Sequence, residues 1–189
     1  MENTDQYVNT WDGELYLEYH RGTYTSQAYN KRMNRKMELL YRRAEWMTAM
    51  AAMGAGDLSL AEQEKLTKGW KMILTNQFHD IIPGSSIHEV YEDSRKDYQK
   101  IQEIGMEVLE DFHKDSMENT EKAYTVYNAS GWKMNETVAL PVNGSCCFTD
   151  EDGNLLVSQD QGDVAYVQVT DVPAMGHKTI FVKEGREER

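Results

Sequence analysis

The sequence is poor in the residues that staple or anchor a chain. It has two cysteines in 189 residues, and they are neighbours, Cys146 and Cys147. Disulfide geometry needs a set separation of α-carbons that adjacent residues rarely reach. No disulfide framework and no four-cysteine metal site can be built from them. Such sparing use of cysteine is expected in a reducing compartment, the cytoplasm. Long apolar runs are absent too; none approaches the roughly 20 residues of a membrane span, so no membrane partner is expected. The opening MENTDQYVNT is polar and acidic, unlike a secretory signal. Without such a signal, the sequons at Asn128, Asn135 and Asn143 read as turn-forming asparagines. Cationic charge is also scarce: 20 Lys and Arg face 32 Asp and Glu, a net charge of -12. Nucleic-acid binding needs a cationic footprint to neutralise phosphates, so that class is excluded.

What is present is a helical half and a strand-like half. Apolar residues make up 40% of the chain, enough for at least one core. Thr25 or Ser26 is placed to cap a first helix. Its stripe runs Tyr29, Met33, Met37, Leu40, Ala44, Met47 and Ala51, three or four apart, and Gly54 and Gly56 end it. Ser59 and Glu62 have capping-box spacing before a second helix buried through Leu66, Trp70, Ile73 and Leu74, with Pro83-Gly84 as its stop. Ser86 and Glu89 repeat the pattern before a third, with Ile87, Val90, Tyr91, Ser94, Tyr98, Ile101 and Val108 inward. Gly105 is a weak point in it, and fraying is expected near His113 to Ser116. Beyond residue 120 the period shortens. Tyr124–Tyr127, Glu136–Pro141, Leu155–Ser158, Val164–Val169 and Lys178–Val182 read as strands, and Asp152-Gly153-Asn154 as a hairpin turn. The cysteines read as strand residues without a basic neighbour to activate them. The charged tail from Glu184 to Arg189 reads as disordered. The expected fold is segregated α+β: a three-helix up-down-up bundle, then an incomplete antiparallel β-sandwich-like region. The divisions fall at 1–25 (an entry segment), 26–118 (the bundle) and 119–189 (the β-region).

Two segments do not read as helix filler. GELYLEYHRGTYTS (13–26) crowds aromatic, acidic, His and Arg side chains around a glycine before a helix. NQFHDIIPGSS (76–86) sets His79 and Asp80 at a helix end before a tight turn. Loop ends on a rigid scaffold often carry binding groups. On its own residues His79 reads more readily as a helix C-terminal dipole partner than as a metal ligand. Asp80 reads equally as a cap or turn residue. No His-x-x-x-His pair exists, and the Pro-Gly turn separates His79 from His88.

GELYLEYHRGTYTSQAYNKRMNRKMELL resembles the entry to the middle domain of the zinc-dependent α-mannosidases of glycoside hydrolase family 38. NQFHDIIPGSSIHEVYEDS resembles a second hallmark of that family, a His-Asp pair before a Gly-Ser turn. YNASGWKMNETVALPV, DEDGNLLVSQ and DVPAMGHKTIFV resemble the opening of its C-terminal β-region, in the family's order. The resemblance implies hydrolysis of terminal α-linked mannose from oligosaccharides and N-glycans, with retention through an aspartate nucleophile and a second carboxyl group. It implies a catalytic Zn2+ held by two histidines and two aspartates. His79 matches the last of those ligands, Asp80 a carboxylate that accepts from mannose hydroxyls, and His20 a position where some relatives place tryptophan against the sugar. Arg21 and Tyr24 border the same place, and Phe78 stands where some relatives have another histidine. The family's catalytic domain precedes such a segment. The resemblance therefore implies that no catalytic residue lies here, that the upstream catalytic domain is a partner, and that the isolated chain is inactive. The competing readings are a non-enzymatic carbohydrate-binding or assembly module and a helical scaffold unrelated to sugars.

Other residues read blandly. Trp46 and Trp70 lie on helices and read as core or helix-contact groups, like the methionines, although all four tryptophans, Trp11 and Trp132 included, could be sugar platforms. Glu14 and Glu18 as a catalytic pair is the weaker reading.

Overall fold

The computed structural model describes residues 10–14, 18–55, 60–115, 123–144 and 146–185. After a short 3-10 turn at Glu18–His20 come three helices, α1 (Ala28–Ala55), α2 (Leu60–Asn76) and α3 (His88–Asp115). Six strands follow: β1 (Ala123–Asn128), β2 (Met134–Pro141), β3 (Cys146–Thr149), β4 (Ser158–Asp160), β5 (Val164–Val172) and β6 (Gly176–Glu184). The segregated α+β order expected from the sequence is the observed one.

The helices pack as an up-down-up bundle. Asn76, the last residue of α2, meets Ser94 near the start of α3, while Lys65 near the start of α2 pairs with Glu107 at 2.8 Å near the end of α3. Asn30, at the start of α1, reaches the same Ser94. So α1 and α3 run together and α2 runs against them. Their core is Met37, Tyr41, Ala44 and Met47 against Leu66, Ile73, Tyr98, Ile101, Ile104 and Val108. Tyr41 is fully buried, donates its hydroxyl to the Ile101 carbonyl at 2.8 Å and meets the Trp70 ring edge-on at 5.6 Å. Burial pushes its phenol up to about 12. Gly69 makes room for it, since a Cβ there would stand 1.8 Å from the Tyr41 hydroxyl oxygen. Gly105 likewise lets Leu40 approach, and α3 runs through it unbroken, so the expected weak point is a packing contact instead.

Several expected boundaries shift. The first helix begins at Ala28, after turns that end with Gln27 in the left-handed region (φ 50). Ser59, the expected cap of α2, lies outside the described residues. The buried positions of α2 are Leu66, Gly69, Ile73 and Asn76. That 3-4-3 spacing leaves Leu74 a quarter-turn off the face and exposed. Helix α2 stops at Asn76, seven residues before Pro83, because the chain breaks into consecutive tight turns there. Ser86 does not cap α3; its hydroxyl donates to the Asp80 carbonyl instead. Ile87, Tyr29 and Ala51, expected inward, are exposed.

The strands form two antiparallel three-stranded sheets, ordered β1-β6-β3 and β2-β5-β4. They share a second core of Leu140, Val142, Phe148, Ala165, Val167, Val169, Val172 and Ile180. Strand β5 alternates strictly through Val169, with Tyr166, Gln168 and Thr170 outward. An extra β5 residue opposite Met134–Glu136 makes a bulge; Asp171 takes φ 59, and Val172 is turned back inward. Leu155 makes a single bridge to Thr149, and the strand expected at Leu155–Ser158 begins only at Ser158. Strand β3, carrying both cysteines, was not among the expected strands; it is short and lacks alternation. Glu184, expected in a disordered tail, pairs with Cys146 at the end of β6. The Asp152-Gly153-Asn154 turn forms as read, its amides at Asp152 and Asn154 donating to Asp150. Trp46 of α1 and Tyr127 of β1 meet edge-on at 6.1 Å, joining bundle to sheets. No described helix is long and apolar enough to cross a membrane.

Alanine is the better helix former by about 1 kcal/mol, yet Gly69→Ala is expected to lower stability by about 1–3 kcal/mol through overpacking against Tyr41. Urea melts of the two chains check this; a higher midpoint for the variant would contradict the packing account.

Candidate functional site

At the end of the bundle where α2 stops, three polar side chains are buried together. Asn30 donates to the Ser94 hydroxyl at 2.8 Å, and Ser94 donates to the Asn76 carbonyl oxygen at 2.6 Å. The Asn76 amide donates to the Met72 carbonyl at 3.0 Å and to the Asp97 carboxylate at 3.1 Å. All three residues are at most 2% exposed, so each hydrogen bond replaces one that water can no longer make. Beside them Gln77 donates to the side-chain oxygens of Asn34 and Glu38, both at 2.9 Å. The end of α2 is thereby tied to α1 and α3 one residue before the turns begin.

The turns carry the candidate residues. Ile81 and Ile82 donate their amides to the Phe78 carbonyl at 2.8 and 3.1 Å, and Gly84 to that of Ile81 at 3.1 Å. Buried Tyr91 of α3 clamps this segment, its hydroxyl oxygen accepting from the Ser86 amide at 2.9 Å. Lys31 of α1 donates to the Ile82 carbonyl at 2.8 Å. On this support His79 and Asp80 project outward, their side chains 79% and 60% exposed. His79 Nε2 stands 3.5 Å from Asp80 Oδ2. The imidazole leans on the Phe78 ring, centroids 4.1 Å apart.

The segment holding His20 converges on the same end. Lys31 donates to the Ser26 carbonyl as well as to that of Ile82. Gly84 lies flat on Ser26, where a Cβ would stand 2.7 Å from the Ser26 Cβ. Its φ of +92 is one that glycine adopts without strain. The two segments singled out in the sequence, some 60 residues apart, are therefore neighbours. His20, Arg21 and Tyr24 are exposed on theirs. Glu14 is exposed also, whereas the Glu18 side chain lies outside the described residues. Trp46 and Trp70 lie against the bundle core, and Trp11 and Trp132 are exposed.

A tetrahedral zinc centre takes at least three protein ligands. Among the described residues no third His, Cys, Asp or Glu joins His79 and Asp80 in a metal-sized group. These residues alone therefore do not fit a zinc ion; they offer one solvent-facing imidazole and one carboxylate. The shallow surface grooves along α2 (Leu60 to Met72) and α3 (Gln99 to Glu110) include neither residue.

Sequence reasoning passed over Asn30, Asn76, Gln77 and Lys31. A signal existed: Asn30 and Asn76 each fall three residues from an inward apolar position, Met33 and Ile73, where an amide has to be hydrogen-bonded. Asn76→Leu removes the shared acceptor of Ser94 at similar volume. It is expected to cost about 2–3 kcal/mol and to speed amide exchange at Ile81, Ile82 and Gly84; unchanged exchange there would separate the network from the turn.

A family model described as the alpha mannosidase middle domain matches residues 18–115. Alpha-mannosidase 2C1 of Mus musculus is 34% identical over 143 residues, which is 75% of this chain and 14% of that protein. Alpha-mannosidase G of Dictyostelium discoideum is 44% identical over 94 residues, 50% of this chain and 8% of that protein. A glycosyl hydrolase family 38 protein from Enterococcus faecalis superposes with a TM-score of 0.73 at 18% identity, over 88% of this chain and 26% of its own. An alpha-mannosidase from Enterococcus faecalis V583 gives 0.70 at 19% identity, over 86% and 24%. The chain thus spans a small part of the length of its relatives, and the stretch it spans holds their helical middle domain. It belongs to the α-mannosidases of glycoside hydrolase family 38.

Proposed function

We propose that this sequence serves a zinc-dependent, retaining α-mannosidase that removes terminal α-linked mannose from oligosaccharides such as N-glycans. The observation that carries the proposal is the turn after α2. It holds an exposed imidazole and an exposed carboxylate side by side on a buried hydrogen-bonded base. In a protein core a histidine is closed off by packing; here the ring is left open to a partner surface. His79 supplies one nitrogen donor to a zinc whose other ligands come from elsewhere in the enzyme. Asp80 accepts hydrogen bonds from mannose hydroxyls, and His20, on the adjoining segment, borders the sugar. The nucleophile and acid/base carboxyls belong to the same missing set, because the described residues gather no carboxylate cluster around His79. The 189 residues by themselves are therefore inactive.

Two substitutions test this in an α-mannosidase polypeptide of full family length that contains the sequence. His79→Ala lowers bound zinc and turnover of an aryl α-mannoside together, each by at least about tenfold; full zinc content with full turnover would remove His79 from the metal. Asp80→Asn raises KM by about tenfold while leaving the thermal midpoint in place, since the side chain is exposed. An unchanged KM would take Asp80 out of the sugar site.

A further inference from the structure

Two loops meet at the open end of the bundle. One, Arg21 to Gln27, follows His20; the other, Gln77 to Ile87, holds His79 and Asp80. Neither is held by a regular ladder to the other. Each has internal turn bonds: Thr25 and Ser26 donate to the Gly22 carbonyl at 3.0 and 2.8 Å, and Ile82 donates to that of Phe78 at 3.1 Å. Those bonds shape each loop without fixing it relative to its neighbour.

Two features cross between them. Lys31, on the first full turn of α1, sends its ammonium to the Ser26 carbonyl in one loop and the Ile82 carbonyl in the other. Gly84 of the second loop rests against the Ser26 backbone, where a Cβ would come within 3.0 Å of the carbonyl oxygen. An ammonium donates in three directions and its hydrogen bonds to carbonyls are charge-assisted, so one lysine can hold two backbones. A partly buried lysine has lost some of its hydration, and its pKa is lowered from the ordinary lysine value by that burial. No carboxylate is recorded against its ammonium in compensation; its recorded partners are the two carbonyls.

We propose that Lys31 is a positioning residue that sets the His20 loop against the His79–Asp80 loop, so that the two sugar-facing segments act as one rigid unit. It touches neither metal nor sugar and acts through the two carbonyls it binds. The role for catalysis rests on the function proposed above, whereas the coupling of the loops does not. In the enzyme, losing the lysine lets the two sugar contacts drift apart. Substrate binding then weakens more than the chemical step, since positioning losses of a fraction of an ångström are costly.

Amide hydrogen exchange on this chain tests the coupling directly. Lys31→Met is expected to speed exchange at Thr25, Ser26, Ile82 and Gly84 by about tenfold, with the α3 amides from Ile101 to Val108 unchanged. Lys31→Arg, which keeps the charge and can reach two acceptors, restores slow exchange in both loops. Gly84→Ala, which wedges the loops apart, gives the same two-loop pattern as Lys31→Met and serves if that variant folds poorly. A response confined to one loop, no response, or an equal rise throughout α3 would overturn the proposal. In the full-length enzyme Lys31→Met should raise KM for an aryl α-mannoside about tenfold, with zinc retained and kcat within about twofold; an unmoved KM would likewise overturn the positioning role. If His79→Ala leaves zinc and turnover intact, the metal reading fails, and the exchange pattern still decides the coupling.

Discussion

Asn30, Ser94 and Asn76, one from each helix, meet through hydrogen bonds of 2.6–2.8 Å in a place sealed from water. Apolar contacts hold the rest of the bundle but fix its ends only loosely, because hydrophobic attraction has no direction. The polar chain does have direction. A slide of α2 along its neighbours would leave a buried amide or hydroxyl without a partner, at a cost of roughly 1–3 kcal/mol per group. The position of the last α2 residue is therefore specified, and His79 follows it by three residues. Tyr91 and Lys31 then grip the carbonyls and amides of the turn itself.

This gives physical sense to an exposed pair on a firm base. A metal donor on a mobile loop loses conformational entropy on binding; one already fixed by its surroundings loses less. His79 and Asp80 face solvent, yet the backbone beneath them is bonded at almost every step from Gln77 to Ser86. The same region leaves Phe78 and Ile87 exposed beside them, an apolar border of the kind found where a further surface docks. The β-region, by contrast, stands on its own core and touches the bundle through the Trp46–Tyr127 contact.

Much of the fold was legible in residue spacing. The 3.6 period of Met33, Met37, Ala44 and Met47 gave α1, and the alternation of Val164 to Val169 gave β5. What spacing could not show was where a buried face contains polar groups. Leu74 looked inward because it is apolar, while Asn76 took the inward position because Ser94 and Asp97 were there to bond it. Ser86 has capping-box spacing to Glu89, but its hydroxyl is taken by the Asp80 carbonyl, a tertiary partner that local pattern does not reveal. The strand β3 was hidden because Cys146–Thr149 pairs with β6 across a long sequence interval. For the site, residue chemistry alone left His79 an ordinary helix-end histidine. Its ordered setting, GELYLEYH followed by NQFHDIIPGSS, pointed further. The convergence of those two segments on one end of the bundle was visible only in three dimensions.

The central claim is that the His79 imidazole, held open by this base, closes a metal site shared with other parts of an α-mannosidase. Anomalous scattering at the zinc edge, from crystals of a full-length enzyme containing this sequence, addresses it directly. The account predicts a peak about 2.0–2.1 Å from a His79 ring nitrogen. A zinc peak complete with protein ligands and remote from His79 would contradict it.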